Sequence, residues 1–310
     1  MIDNKLETLI AVCETGSFTK AAEQLSLTQP AVSQHIRQLE KELGARLFNR
    51  GEGNIKLTAQ GEIALKYAKR IKTLYQNMMQ SVSNEKKQIT RLTIGITRTA
   101  ESSLMPDVLA RYSNLHPDMR ITILSDGINN LYNKLKTYEL DLAVIEGRIS
   151  DSNFHSILLD TDSLILAVSP QNPLAGKQIV TINELKKEKL ILRLPDSATR
   201  NMFVSTLESQ GLSLDEFNVI LEVDNIAMIK NLVKKDFGVT ILAKSAFLSD
   251  MRKGKLAGLP VENLSMVREV NMVYHHDFEQ VEALRDIARI YYEFVNPSRK
   301  RDVHNPSRLN

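Results

Sequence analysis

The stretch from Gln29 to Leu43 divides into two faces, and that division limits what the first third of the chain can become. At about 100° per residue, Val32, Ile36, Leu39 and Leu43 cluster on one side of a helix. Pro30, Gln34, Arg37 and Lys41 project the other way, with Gln29 and Ser33 at the edges. Thr28 is suited to cap this helix, Pro30 is tolerated in its first turn, and Gly44 ends it. Upstream, Leu6, Leu9, Ile10 and Cys13 follow helical spacing, Thr15-Gly16 breaks it, and Ser17 can cap a second helix. That second helix carries Phe18, Ala21, Ala22 and Leu25, and its two alanines permit close approach of a neighbour. Ser26-Leu27 leaves room only for a tight turn. The exposed face of 29–43 alone would also suit plain solvation. With the alanine-bearing helix and the tight turn before it, the pattern is a helix-turn-helix. Its third helix offers Gln and Arg side chains able to pair with adenine and guanine edges in a major groove.

Charge agrees with that reading once it is divided along the chain. Residues 1–87 carry 13 Lys and Arg against 9 Asp and Glu, whereas 88–310 carry 27 against 28. A basic head on a near-neutral body suits contact with a polyanion. The 43% hydrophobic and 25% charged composition excludes disordered and collagen-like chains. No run reaches the roughly 18 apolar residues that span a bilayer, and the start does not read as a signal peptide. The expectation is a soluble, cytoplasmic protein without membrane contact. One cysteine, Cys13, excludes an internal disulfide and a cysteine-built zinc site. Its place on the apolar stripe predicts a small buried hydrophobe, not a redox sensor.

The segment from Phe18 to Glu40, with Leu43–Arg50 and Leu57–Gly61 after it, resembles the winged helix-turn-helix of LysR-type transcriptional regulators. About 45 residues agree at fixed spacing, and the later domain order agrees too. The resemblance implies an all-α winged helix-turn-helix and a long linker helix. An α/β effector-binding region of two Rossmann-like subdomains, arranged as in periplasmic binding proteins, would follow. It places Thr28, Gln29, Pro30, Ser33, Gln34 and Arg37 at the major groove, with the helix-turn-helix at about 18–37. Arg46 and Arg50 flank a wing at 45–57, whose tip, Gly51–Asn54, departs from the usual basic or proline-bearing form because Glu52 faces phosphate unfavourably. The implied partners are double-stranded promoter DNA, a small-molecule effector, RNA polymerase and further copies of the chain, as homodimer or homotetramer. No cofactor is implied.

From Thr58 a helical run continues with no glycine between Gly61 and Gly95. Ala64, Tyr67, Ile71, Leu74 and Met78 alternate at spacings of 3 and 4, a heptad seam. The stripe either packs on its own domain or pairs two chains. The family resemblance favours pairing, through Tyr67, Ile71, Leu74 and Met78. The polar stretch 84–90 suits a hinge.

The remainder alternates strand and helix, which implies βαβ units and a parallel sheet. Strands are expected at 92–96, 120–124 and 141–146, with helices at 104–115 and 128–138. A second series begins near Leu164 and continues with strands at 190–194, 219–223 and 239–242 and helices near 199–210 and 226–235. A last strand at 269–274 and a helix at 279–294 return to the first half, so the chain crosses between halves near 161–163 and 265–268. The domains expected are a head at 1–58, a linker helix at 59–89, and an effector-binding region at 90–296. Subdomain I would comprise 90–162 and 267–296, subdomain II 163–266, and 297–310 a disordered basic tail.

In open α/β sheets ligands meet the carboxyl ends of strands and the N-termini of helices. Thr97, Arg98, Thr99 and Ser102 follow the first strand, and Ser197, Thr199 and Arg200 hold the equivalent place in the second half. Asn225 starts a helix, and Glu146 ends the third strand. Hydroxyls with Arg98 or Arg200 suit a small anionic effector, although Ser and Thr also serve there as plain helix caps. His275-His276-Asp277 has metal-ligand chemistry, but neighbours on a strand point to opposite faces, so a strand end and no metal site are expected. His35 is expected on the flank of the recognition helix, facing backbone or solvent. Phosphate-loop glycine motifs and a G-x-S-x-G turn are absent, and no catalytic constellation emerges. A small-molecule-binding clamshell would leave the head unexplained. A sequence-indifferent architectural DNA binder would need a more basic chain.

Overall fold

The computed structural model describes residues 3–49, 55–85, 90–147 and 151–295. Arg50, the wing tip 51–54, the hinge residues 86–89, Arg148 and the tail 297–310 therefore lie outside the described residues. The chain divides into two compact units, one of residues 1–90 with 133–139, on which the head is built, and one of residues 91–132 and 140–310, which holds most of the body.

The head forms from three short helices and one long one: α1 (Asn4–Thr15), α2 (Phe18–Leu25), α3 (Gln29–Leu43) and α4 (Ala59–Glu85). Local chemistry sets each boundary. The Asp3 carboxylate accepts from Lys5 N to cap α1, and left-handed Gly16 (φ 63°) ends it. Ser17 Oγ accepts from Lys20 N to cap α2. Ser26 takes the left-handed conformation (φ 55°) usually left to glycine, which makes the turn into α3 tight. Thr28 Oγ1 caps α3 from Ala31 N, and Gly44 (φ 62°) closes it.

Leu9, Val12, Ala21, Ala22, Val32, Ile36, Leu39 and Leu47 are buried between these helices, and Phe18 meets Phe48 edge to face at 5.6 Å. Burial pushes the Cys13 thiol up to about 11, which suits a packing residue. Two details differ from the sequence reading. Leu43 is 52% exposed, because the last turn of α3 runs past the core. His35 is half-buried, and its Nδ1 bonds Thr8 Oγ1 at 2.9 Å, tying α3 to α1.

After α3 the chain makes an antiparallel bridge, Phe48 with Leu57, the base of the wing. Thr58 then donates its hydroxyl to Arg46 O at 2.6 Å and caps α4 from Gly61 N at 3.0 Å. Ala68 is fully buried against the head, with Leu65 beside it. Ile63, Tyr67, Ile71, Leu74, Met78 and Val82 lie between 45% and 63% exposed along another face of α4.

In the body, β1 (Thr90–Thr97) leads to a single turn, α5 (Arg98–Glu101), then α6 (Met105–Leu115), β2 (Met119–Asp126), α7 (Ile128–Lys136) and β3 (Leu142–Glu146). Next come β4 (Phe154–Val168), α8 (Ile182–Leu185), β5 (Lys189–Leu192), α9 (Ala198–Glu208), β6 (Asn218–Glu222) and α10 (Ile226–Lys234). The chain continues with β7 (Thr240–Ala243), α11 (Lys244–Arg252), β8 (Ala257–Leu259), β9 (Val267–His275) and α12 (Val281–Val295). The sheet order is β2-β1-β3-β9-β4-β7, with β8 also on β4 and β5 paired separately with β6.

The parallel expectation holds for β1 with β3 and for β5 with β6. It fails for β4 and β9, which are antiparallel over Phe154–Ser163 and Val267–His275. One strand leaves a half and the other returns beside it, so they must run in opposite directions. β4 is 15 residues long and begins at Phe154, ten residues before the expected start. At Leu164 it exchanges β9 for β7. Two separate cores result. One gathers Leu92, Ile94, Leu109, Tyr112, Met272 and Ile287, the other Leu166, Ile191, Phe203, Ile229, Ile241 and Phe247. The expected helix at 104–115 is present as α6, with Pro106 in its first turn, and a separate single turn, α5, precedes it.

Gly61 allows α4 to lie against the wing base, since a Cβ there would stand 2.1 Å from Leu47 O and 2.8 Å from Leu57 Cδ2. The backbone oxygen cannot swing aside as a side chain would, and overpacking of this kind costs about 1–3 kcal/mol. Gly61→Ala is expected to lower the denaturant midpoint of the head transition accordingly. An unchanged midpoint would show that the 45–47 turn yields freely.

Candidate functional site

On the head, the polar face of α3 is open. Gln29, Pro30, Gln34, Arg37 and Lys41 are exposed, and Gln29 Nε2 donates to Ser33 Oγ at 3.0 Å. A groove of about 640 Å³ runs along this face, lined by Ser33, Arg37, Lys41, Arg46 and Asn49 among others. Thr28 is exposed at the start of α3, with its hydroxyl spent on the cap. The structure thus brings Ser33, Arg37 and Arg46 to one concave surface and sets Gln29, Pro30 and Gln34 on the adjoining face. Of the residues proposed from the sequence to pair chains, Tyr67, Ile71, Leu74 and Met78 are all exposed, whereas Ala64 is half-buried against the head core.

In the body, a cleft of about 400 Å³ opens at the carboxyl ends of β1, β2, β3 and β5. Six residues expected from the sequence line it: Thr97, Arg98, Thr99, Glu146, Ser197 and Thr199. Three others do not. Ser102 follows α5 and turns its backbone N–H to Thr99 O. Arg200 pairs with Glu222 at 2.6 Å and donates to Arg193 O at 3.1 Å. Asn225 spends its carbonyl on Met228 N as the cap of α10.

The cleft also contains residues the sequence reading passed over: Asp126, the start of α7 (Gly127–Asn130), Arg193, Asp196 and Asn201. The same strand-end rule points to Asp126, which closes β2. Arg193 carried its own signal, a charge following the apolar run Leu190–Leu192. Its side chain is 4% exposed, and its Nε is buried with no acceptor among the described residues. Burial pulls this guanidinium below its usual range, against the pull of Asp224. Asp224 Oδ1 lies 3.2 Å from Arg193 Nη2 and 2.9 Å from Arg98 Nη1, so one carboxylate joins the residue after β5 to a residue after β1.

The acids lining the cleft are largely committed. Glu146 accepts from Thr97 Oγ1 at 2.7 Å, and its burial raises its pKa despite Arg268 nearby. Asp126 accepts from Gly127 N at 2.8 Å and from Asn130 Nδ2 at 2.9 Å. Thr97 Oγ1 also caps α5 from Ala100 N. The Ser197 hydroxyl makes no capping bond, although Ser197 holds the cap position of α9. Thr99 and Thr199 are buried, and Arg268 Nη2 stands 3.5 Å from Thr99 Oγ1. Two helix N-termini, those of α7 and α9, therefore open on the cleft beside a buried cation.

His275 ends β9, as expected of a strand end. His276 and Asp277 are turn residues, so the rule that strand neighbours point to opposite faces does not extend to them. Among the described residues no helix is long and apolar enough to cross a membrane.

Comparison with known proteins agrees with this division into head and body. The profile described as the bacterial regulatory helix-turn-helix protein, lysR family, matches residues 4–62, and that described as the LysR substrate binding domain matches 86–293. The HTH-type transcriptional regulator CysL of Bacillus subtilis is 27% identical over 270 residues, covering 87% of this chain and 89% of that protein. Full-length CbnR in complex with its target DNA aligns with a TM-score of 0.65 at 18% identity, covering 94% of this chain and 99% of that one. The CcmR regulatory domain of Synechocystis in complex with 2-PG aligns at 0.57 and 18% identity, covering 66% of this chain and 96% of that domain. At such identities the two structures show likeness of fold. The family profiles span nearly all of the described chain, and the chain belongs to the LysR family of transcriptional regulators, with a DNA-binding helix-turn-helix head and an effector-binding body.

Proposed function

We propose that this regulator binds promoter DNA in the cytoplasm through the α3 face, and that a small anionic effector in the body cleft modulates that binding without any reaction being catalysed. Thr28, Gln29, Pro30, Ser33, Gln34 and Arg37 meet the major groove, and Arg46 meets the backbone. The structure of CbnR with its target DNA supports DNA binding by a chain of this fold. The effector lies between subdomain I (90–162 and 267–296) and subdomain II (163–266). Homodimers or homotetramers form through the exposed stripe of α4, and contact with RNA polymerase follows at the promoter.

The observation that carries the anion is Arg193. A buried donor without an acceptor costs about 1–3 kcal/mol, and an entering carboxylate or phosphate oxygen recovers that cost. Thr99, Ser197 and Thr199 surround it with hydroxyls, and the N-termini of α7 and α9 favour negative charge. The complex of the CcmR domain with 2-PG supports a small-molecule ligand in a body of this fold.

Three measurements test this reading. Thermal-shift screening of small carboxylic and phosphorylated acids should yield hits that bind folded Arg193→Met about 10- to 100-fold more weakly, the loss of one charged hydrogen bond. Hits that are all neutral or cationic, or that bind the variant equally well, would overturn the anion. Arg37→Ala should cost roughly 1–3 kcal/mol on a cognate operator and less on random DNA, read by fluorescence anisotropy. Equal losses would make Arg37 a phosphate contact. Ile71→Asp should dissociate the oligomer and weaken operator binding with it, seen by sedimentation at micromolar concentration. Unchanged sedimentation would move the pairing surface elsewhere.

A further inference from the structure

The body holds a second cluster of ligand-type side chains, none of which lines the cleft. We propose that His275, His276 and Asp277 bind a divalent transition-metal ion of the zinc, cobalt or nickel type. The backbone sets the arrangement. β9 ends at His275, and Phe278 N donates to His275 O at 3.0 Å, which closes a turn around His276 and Asp277. His276 N donates to Asn153 O at 2.9 Å and fixes that turn beside the start of β4.

One side-chain donor atom from each of the three residues lies within 4.8 Å of the others. Donor atoms about 2.1 Å from a tetrahedral ion stand about 3.4 Å apart, so side-chain rotation of exposed His276 and Asp277 would have to draw the set together. His275 is the fixed member. It is buried, and Phe154 packs against its ring edge to face at 5.4 Å. Its Nδ1 bonds Asp277 Oδ1, and the His276 ring stands 4.6 Å away, centroid to centroid.

Two imidazoles with one carboxylate form a borderline donor set. It suits zinc, cobalt, nickel and copper, and it discriminates against magnesium and calcium, which require oxygen. Three protein ligands leave further positions to water, and all three come from consecutive residues, so moderate affinity is expected. Binding requires the neutral imidazoles and the carboxylate as ligands.

The test uses tag-free full-length protein titrated with Co²⁺ and Zn²⁺, followed by cobalt absorption and calorimetry. The site predicts one ion per chain, a rise in Tm at saturating Zn²⁺, and no competition from Mg²⁺ or Ca²⁺. His276→Ala and Asp277→Asn should each weaken binding at least tenfold and abolish the Tm rise. Both residues are exposed, so the variants should keep the metal-free Tm. His116→Ala, which removes an imidazole paired with Asp286 elsewhere, should leave binding unchanged. Absence of Co²⁺ binding below 100-fold excess, or binding indifferent to both substitutions, would overturn the site.

Discussion

The antiparallel pairing of β4 with β9 is the constraint on which the body depends. These strands are backbone-bonded from Phe154–His275 to Ser163–Val267, and beyond that point β4 bonds to β7 instead. Each half consequently builds its own core, and the exchange of partners at Leu164 marks where one ends and the other begins. Small rotations at such a crossing disturb neither core, since interiors resist deformation while a pair of strands can twist. The crossing carries polar support as well. Asp162, the last but one residue of β4 to pair with β9, accepts from Ser245 N at 3.2 Å and Ser245 Oγ at 2.6 Å, linking β4 to the start of α11.

Charge is distributed unevenly around the cleft beside this crossing. Arg193 is nearly inaccessible and incompletely bonded, whereas Arg98 is 39% exposed. Desolvation is expensive for the first and slight for the second. Glu146 sits buried at the end of β3 with its pKa raised by burial, which keeps its carboxyl nearer neutrality than a surface acid. The lining therefore has two acids turned to partners of their own, Glu146 and Asp126, a third, Asp196, near Arg193, and one buried cation with capacity to spare. A nominal balance of charges around the rim would obscure that difference.

The head was the most legible part of the sequence, because capping chemistry sets its boundaries locally. Ser17, Thr28 and Gly44 each do in the structure what their residue type implies. Leu43 misled, since periodicity shows which side of a helix a residue occupies but not where the core beneath it stops. His35 misled for the related reason that its partner, Thr8, lies on another helix. In the body, the first half of β4 escaped notice because Phe154–Asp160 is mostly exposed or half-exposed and carries His155, Ser156 and Asp160 with little apolar alternation. α11 escaped because Lys244 follows Ala243 of β7 directly, without glycine or proline between them. The cleft was half legible: strand ends located Thr97–Thr99 and Ser197–Thr199. Arg200 and Asn225 have the same residue character there but bond within their own half, and only the folded arrangement separates the two groups.

Asp224 shows what an effector must achieve to switch such a body. A ligand shifts a conformational equilibrium only by its difference in affinity for the two states, so contacts confined to one half shift nothing. Asp224 already joins Arg98 to Arg193 across the halves. Its pair with Arg98 is exposed on both sides, 39% and 43%, and a pair so exposed contributes roughly 0–1 kcal/mol. That link is weak enough for the anion proposed for the cleft to displace. The stronger contribution lies with Arg193, where a charged hydrogen bond in a buried setting is worth about 1.5–3 kcal/mol. One such bond corresponds to roughly a 10- to 100-fold change in a two-state equilibrium, enough to alter promoter occupancy. Placing the buried cation just after β5 and the hydroxyls of Thr97 and Thr99 at and just after the end of β1 makes that energy depend on both halves being engaged together.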